Sequence, residues 1–348
     1  MSAADQPTTT AEPSDHPQDR EARLPVSMLD LATVKPGRSV REALEESVEL
    51  SQLAEAQGFE RVWFAEHHNM SGIASSATAV LLAHVASQTS SIRLGSGGVM
   101  LPNHSPLVIA EQFGTLAELH PDRIDLGLGR APGTDQRTLQ ALRRDPSAAD
   151  RFPQDVLELQ GYLRGESRVP GIDAYPGHGT DVPLYILGSS LFGAQLAAQL
   201  GLPYAFASHF APQMLDQAAR VYREQYQPSQ AHPQPHFIAA LNVIALDDAA
   251  EAHQQFVQAQ RMRVQLLVGR GRDFSEAELD TLMDSPAAEQ VLGMLKHSAV
   301  GTGSSVAEHV RGFADHVRAD EVMVTALAPD LDPRRRTLEL LGEHLVRA

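Results

Sequence analysis

Two adjacent histidines, His67 and His68, are the strongest candidates for chemistry in this sequence, within the run Glu66-His67-His68-Asn69. An imidazole titrates close to neutral pH, so either ring could donate or accept a proton during a reaction. Two other interpretations stay open, namely a histidine satisfied by local hydrogen bonds and a pair of metal ligands. Adjacent side chains on a regular strand point to opposite faces, which weakens the interpretation as a metal site.

A pair of glycines, Gly97 and Gly98, follows Ser96 inside an otherwise apolar stretch that is predicted as a strand. Glycine there removes side chains where the backbone bulges or passes close to a flat ligand. The alternative is a bulge that serves packing alone. In either case we predict a cis peptide bond or a bulge at Gly97-Gly98.

A single arginine, Arg130, emerges from the glycine-containing stretch of residues 124–133. This stretch contains a G-x-G, but a dinucleotide fingerprint needs a third glycine three residues on, and position 132 is a proline. The dinucleotide interpretation is therefore rejected. Arg130 is better interpreted as a clamp for a phosphate or a carboxylate, with an ordinary surface arginine as the alternative.

A second anion site is predicted at Gly188, Ser189 and Ser190, which lie between a predicted strand and a predicted helix. Backbone N–H groups, serine hydroxyls and the positive end of the helix dipole all favour an anion at such a place. The alternative is an ordinary serine cap. Arg130 at the neighbouring strand end favours the phosphate interpretation.

These candidates lie where predicted strands end, apart from Gly97 and Gly98, which lie within one, and strands alternate with helices along the chain. Eight strands are predicted, at residues 24–31, 61–66, 92–101, 124–128, 184–187, 204–208, 237–246 and 321–324. The alternation predicts an α/β fold, a TIM (β/α)8 barrel, whose strands all end at one face and would bring the candidates to one cavity. Two long insertions follow strands 4 and 7, at residues 131–152 and 258–300, and such segments are either lids or surface excursions.

The composition limits the domain organisation and the partners. Residues 24–348 are predicted to form one barrel domain, and residues 1–23 a disordered tail that lacks the features of a secretory signal. The formal net charge of -16 argues against nucleic-acid partners and anionic membranes, and no apolar run approaches the length of a membrane span. The chain has no cysteine, so redox chemistry would need a bound cofactor. A cytoplasmic protein is expected.

Several runs along the chain resemble one known family when they are taken together. They are residues 63–68, 94–102, 125–133, 187–190 and 205–210. The chain resembles the bacterial luciferase-like flavin-dependent monooxygenases, and more narrowly the uncharacterised single-subunit oxidoreductases of that superfamily. The resemblance covers residues 24 to the C-terminus and implies a TIM barrel that binds reduced FMN and activates dioxygen at flavin C4a.

The same resemblance implies a role for each candidate residue. His67 would lie at the reactive edge of the flavin with His68 as its neighbour, and Gly97-Gly98 would form a non-proline cis peptide beneath the ring system. The phosphate would be held by Arg130 and the helix start, at Gly188, Ser189 and Ser190. True luciferases carry a cysteine just before the phosphate-binding arginine, and this chain has Gly129 there, so light emission is not expected.

The function implied by the resemblance is a two-component monooxygenase that oxygenates a small organic substrate. A separate NAD(P)H:flavin reductase would supply reduced FMN, because the barrel leaves no part of the chain for a nicotinamide-binding domain. The substrate could be an aldehyde, an alkyl chain, a sulfonate or a secondary metabolite. Two rivals remain, a flavin-binding storage protein without catalysis and a metal-dependent barrel hydrolase. The sequence leaves a homo-oligomer open.

Overall fold

The computed structural model describes residues 24–348 apart from positions 36, 132–133, 270–271 and 273. Within this part of the chain there are nine strands, which are β1 (Val26–Asp30), β2 (Arg61–Phe64), β3 (Arg93–Met100), β4 (Ile124–Gly129), β5 (Leu184–Gly188), β6 (Tyr204–Phe206), β7 (Phe237–Leu246), β8 (Ser298–Thr302) and β9 (Glu321–Ala326). The helices that surround them are α1 (Val40–Gln57), α2 (Thr78–Ala86), α3 (Pro106–Leu119), α4 (Gln136–Ala141), α5 (Phe152–Arg164), α6 (Leu191–Leu200), α7 (Leu215–Gln225), α8 (Ala249–Leu267), α9 (Glu276–Met283), α10 (Pro286–Gly293), α11 (Gly303–Val317) and α12 (Leu331–Leu341).

Eight of the strands close a parallel barrel. Each strand from β1 to β7 pairs with the next, and β7 then pairs with β9, which returns to β1 and closes the ring. The barrel strands are buried on both faces, and all ten residues of β7 are buried. Strands covered in this way need apolar residues on both faces, which explains their continuous apolar runs. The predicted TIM barrel is confirmed, and its eight strands are the eight predicted from the sequence.

The ninth strand, β8, was not predicted. It pairs with the second half of β7, on the same edge where the three residues of β6 pair with the first half. Because β6 is so short, the second half of that edge would otherwise lack a partner, and β8 supplies its hydrogen bonds. Only two of its five residues are buried, so its own sequence carries little strand signal.

The two predicted insertions both contain helices. The first holds α4 and a short 3-10 helix that leads into α5, and the second holds the end of α8 together with α9 and α10. Within the second insertion, α9 begins with a capping box formed by Ser275 and Glu278. The predicted tail, residues 1–23, lies outside the described residues. None of the helices in the described part of the chain combines the length and the apolarity that a membrane span requires.

Candidate functional site

The carboxyl ends of the barrel strands open into one large cavity of about 910 Å³. Each of the eight barrel strands lines it with at least one residue, for example Leu29, Trp63, Gly97, Gly129, Leu187, Ala205, Ile238 and Met323. The barrel geometry thus gathers residues that lie far apart in sequence at one site, as the alternation of strands and helices predicts.

The opposite end of the barrel is closed by a buried ion-pair network around Arg61. Its guanidinium donates to Asp125 at 2.7 Å, to Glu321 at 2.9 Å and to the hydroxyl of Tyr185 at 2.9 Å. Burial alone would raise the pKa of Glu321, but Arg61 and a histidine hold it down to about 2. Trp63 donates from its indole to Asp125 and also lines the cavity, so this network supports the cavity floor.

The structure separates the two predicted catalytic histidines. His67 lines the cavity, whereas His68 is absent from the described residues that line it. The Nε2 atom of His68 lies 2.8 Å from Oε1 of Glu66, a carboxylate that is only 1% exposed. Both histidines lie in the loop after β2, which ends at Phe64, so the alternation of a regular strand does not account for the separation. His67 faces the cavity, and His68 faces a buried carboxylate.

Glu66 joins His68 to a histidine that the sequence analysis did not single out, His104. Nε2 of His104 lies 2.8 Å from the same carboxylate oxygen, and the N–H of Met100 donates to the other oxygen at 3.1 Å. Burial would raise the pKa of Glu66, but the bonds from His104 and His68 lower it to about 2. The bond to Glu66 in turn raises the pKa of His68.

The ligand atoms of Glu66, His68 and His104 lie within 4.8 Å of one another, close enough to hold a metal ion. The group includes His68 and not His67. Because Glu66 already accepts hydrogen bonds from both imidazoles and from a backbone N–H, the cluster is complete as a hydrogen-bond network. We interpret it as a set of hydrogen bonds that holds the loop after β2 against the segment at the end of β3.

The predicted cis bond or bulge at Gly97-Gly98 is confirmed. The peptide between them is cis, and the register with β4 shifts between Ser96 and Val99. A Cβ on Gly97 would lie 2.7 Å from Cδ1 of Leu29, and one on Gly98 would lie 2.7 Å from the carbonyl oxygen of Gly127 on β4. Both glycines line the cavity, so one part of its wall is bare backbone.

Arg130 and the start of α6 lie together at the cavity, as predicted. The guanidinium carbon of Arg130 lies 4.2 Å from the ring centroid of Phe192, which is in the first turn of α6. Gly188, Ser189 and Ser190 line the same part of the cavity. Ser190 is the N-cap of α6, and its hydroxyl makes no capping bond to the helix. A cation and the N-terminus of a ten-residue helix therefore face one space.

Arg130 is weakly held by the protein itself. Its Nε donates to the carbonyl of Ala149 at 3.2 Å, and its Nη2 lies 3.7 Å from Asp150. The Arg130 side chain is 41% exposed and that of Asp150 is 78% exposed, so this ion pair contributes little to stability. The guanidinium keeps donors for a ligand.

Sequence reasoning did not assign a role to His209, which lines the cavity just after β6. It is 9% exposed, and its Nδ1 has no hydrogen-bond partner among the described residues. Burial, followed by the charges of Arg263 and His67, lowers the pKa of His209 to about 3, so the ring is neutral at neutral pH. Its position after a barrel strand is the signal that could have found it.

The insertion after β7 faces the cavity rather than forming a surface excursion. The second half of α8 lines the cavity with Ala259, Met262, Arg263, Gln265, Leu266 and Leu267. The insertion after β4 contributes Ala131 and Ala149. Both insertions therefore help to enclose whatever the cavity binds.

Comparisons with known proteins agree with this fold. A family model described as luciferase-like monooxygenase matches residues 24–319. A protein of Escherichia coli strain K12, described as a luciferase-like monooxygenase, is 47% identical over 317 residues, which cover 90% of this chain and 95% of that relative.

Solved structures show the same architecture. The structure of apo-MsnO8 is 34% identical, has a TM-score of 0.84 and matches over 92% of this chain and 98% of that one. The type II Baeyer–Villiger monooxygenase that is the oxygenating constituent of 3,6-diketocamphane monooxygenase from Pseudomonas putida was solved in complex with FMN. It is 16% identical with a TM-score of 0.69, over 93% of this chain and 98% of that one, and this likeness supports the fold alone.

Proposed function

The chain belongs to the luciferase-like monooxygenase family, and we propose that it is an FMN-dependent monooxygenase. In this proposal it uses reduced FMN and dioxygen to oxygenate a small organic substrate. One oxygen atom of dioxygen enters the substrate. The other oxygen atom takes up two electrons from reduced FMN and two protons, and it is released as water. The observation that carries the proposal is the cavity in which Arg130 and the start of α6 face one space and Gly97-Gly98 forms a bare wall.

The residues present fit FMN. A phosphate carries nearly two negative charges, and Arg130 with the N-terminus of α6 supplies a guanidinium and backbone N–H groups for it. The backbone at Gly97 and Gly98 presents no side chain to the cavity, which suits the face of a flat ring system. A cavity of about 910 Å³ has room for a flavin together with a small substrate.

His67 is the chain's own group for proton transfer. It lines the same cavity as Gly97 and Gly98, and its backbone is fixed on both sides, since its N–H donates to the carbonyl of Ser75 and its carbonyl accepts from the hydroxyl of Ser76. In this proposal His67 holds or moves a proton at the reacting oxygen. His68 acts only through Glu66, because its ring forms a hydrogen bond with the Glu66 carboxylate and does not line the cavity.

Bound reduced FMN would supply the electrons that activate dioxygen. The chain's residues would bind the phosphate, orient the ring and exclude water, the last through α8 and the insertion after β4. Reduced FMN would come from a separate NAD(P)H:flavin reductase, because the barrel and its insertions account for the described chain. The protein would then be the oxygenase component of a pair.

The experiment that tests the proposal combines the purified protein with FMN, a flavin reductase and a panel of aldehydes, alkyl sulfonates and thioethers under isotopically labelled dioxygen. We expect FMN to bind and one labelled oxygen atom to appear in a product, measured by mass spectrometry. The reductase and FMN without the protein form the control. A cofactor titration with FMN and with F420 in parallel tests the choice of cofactor.

Each rival gives a different result. Tight FMN binding, with oxidation of reduced FMN that yields only peroxide for every substrate, would favour a flavin-binding protein without catalysis. Binding of F420 in place of FMN would contradict the choice of cofactor. A metal detected by elemental analysis, together with hydrolysis that depends on that metal and on its candidate ligands Glu66, His68 and His104, would favour the hydrolase.

A further inference from the structure

A second cation faces the cavity, and it lacks a partner in the described part of the chain. Arg263 lies in the last two turns of α8 and lines the cavity. Burial lowers its pKa, and no carboxylate among the described residues offsets that effect. Arg261 on the same helix differs, because it donates to Asp280 at 2.6 Å and to Glu276 at 2.7 Å. Two arginines two residues apart thus have opposite surroundings.

Basic residues outnumber acidic ones among the described residues that line the cavity, although the chain carries a formal net charge of -16. The described lining residues include one acidic residue, Asp30, which accepts a bond from Arg334 at 2.8 Å. The basic lining residues are Lys35, Arg130, Arg263, Arg272 and Arg334. A partly buried cation without a counter-charge costs free energy, which a bound anion would recover.

Arg263 and Arg130 reach the cavity from different elements of the barrel. Arg130 follows β4, and Arg263 lies on the helix after β7, three strands further round an eight-stranded barrel. The phosphate proposed for Arg130 therefore leaves Arg263 for a second anionic group. His209 lines the same cavity and interacts electrostatically with both Arg263 and His67; its ring is neutral, and its Nδ1 has no hydrogen-bond partner among the described residues.

We infer that Arg263 binds an anionic group of the organic substrate, a carboxylate in the simplest case, with His209 as a hydrogen-bonding neighbour. This inference rests on the proposed function, because only a monooxygenase would use the bound anion as its substrate. Much of the remaining lining is apolar, including Met262, Leu266, Met294, Met323 and Leu327, which suits an alkyl remainder. The substrate class is then an amphiphilic acid, held by its charged end at α8 while its apolar part extends toward His67.

The test compares two ligands of equal chain length, hexanoate and 1-hexanol, on the complex with oxidised FMN. Binding is measured by calorimetry and by perturbation of the flavin absorbance. A charge-assisted contact to guanidinium predicts that the wild-type protein prefers hexanoate by roughly ten- to a hundredfold. Arg263→Gln should lose this preference while it keeps its affinity for 1-hexanol and for FMN. Arg263→Lys keeps a cation and should retain a smaller preference.

Arg261→Gln is the matched control, since it removes the neighbouring arginine that is already paired with Glu276 and Asp280. It should leave the preference for hexanoate intact. Equal binding of hexanoate and 1-hexanol by a wild-type protein that binds FMN would overturn the inference and leave the proposed function standing. Hexanoate binding that depends on Arg263 in a protein that does not bind FMN would support the anion site and contradict the proposed function.

Discussion

Replacement of Arg130 by alanine tests the proposed phosphate site most directly. The substitution removes the guanidinium that lies over Phe192 at the start of α6. A contact between this cation and a phosphate contributes about 1.5–3 kcal/mol, and the 41% exposure of the side chain places the value toward the lower half of that range. We therefore expect FMN to bind about ten- to fortyfold more weakly to Arg130→Ala.

Riboflavin, which lacks the phosphate, separates the loss of that contact from a general disturbance of the cavity. The variant also loses the stacking of Arg130 on Phe192, which is worth about 0.5–1 kcal/mol to the protein itself. Because the cavity wall at Gly97 and Gly98 is unaffected, riboflavin affinity should change by less than about threefold. The assay is titration of both flavins followed by quenching of their fluorescence.

A nearby arginine provides the control for this experiment. Arg151 lies in the same insertion and pairs with Asp155 at 3.2 Å, and its side chain is 72% exposed. Arg151→Ala should bind both flavins as the wild-type protein does. If Arg130→Ala weakens FMN and riboflavin equally, or if Arg151→Ala weakens FMN as strongly, the reasoning about a phosphate clamp is wrong.

The remaining predictions concern the proton donor, the barrel floor and the buried carboxylate. His67→Ala should retain FMN affinity but release more peroxide per FMN oxidised, and unchanged coupling of oxidation to product would remove His67 from the chemistry. Arg61→Met should lower the free energy of unfolding in urea by about 3–5 kcal/mol, because it leaves a buried carboxylate without its partner; a loss below about 1 kcal/mol would show that the network is dispensable. Glu66 has a folded pKa of about 2, below its ordinary 4.5, so its charge stabilises the fold above pH 4.5 and this contribution is lost as the pH falls toward 2. The wild-type protein should exceed Glu66→Gln in free energy of unfolding by about 3 kcal/mol near pH 7, and urea titrations should show this difference becoming smaller from pH 4.5 to pH 2. A difference that does not change with pH would contradict the lowered pKa of Glu66.

The order of strands and helices could be predicted from the sequence because the signals for it are local. Each barrel strand is an apolar run buried on both faces, and each run is followed by a polar or glycine-rich turn, as at Glu66 and at Gly188. Parallel strands in a closed barrel end at one face, so the position of the cavity followed from the same pattern. The glycine pair Gly97-Gly98 was readable for a similar reason, since two residues without side chains inside an apolar strand indicate irregular backbone.

β8 could not be predicted from its own residues. Its hydrogen bonds come from the edge of β7 that the short β6 leaves unpaired, which is a property of the sheet and not of residues 298–302. Strands with few buried residues depend on their partners for stability, so propensity alone carries little information about them.

For the site residues, too, some properties could be predicted from the sequence and others depended on the tertiary structure. The residue types at positions 67, 130 and 188–190 and their places at strand ends were determined by the sequence. Only the tertiary structure decided that His68 turns to Glu66, which also binds His104 thirty-eight positions away from it. It also decided that His209 is neutral and that Arg263 faces the cavity without a carboxylate from the described residues. Burial and charge pairing set these properties, and both depend on groups that are distant in the chain and meet only when the barrel closes.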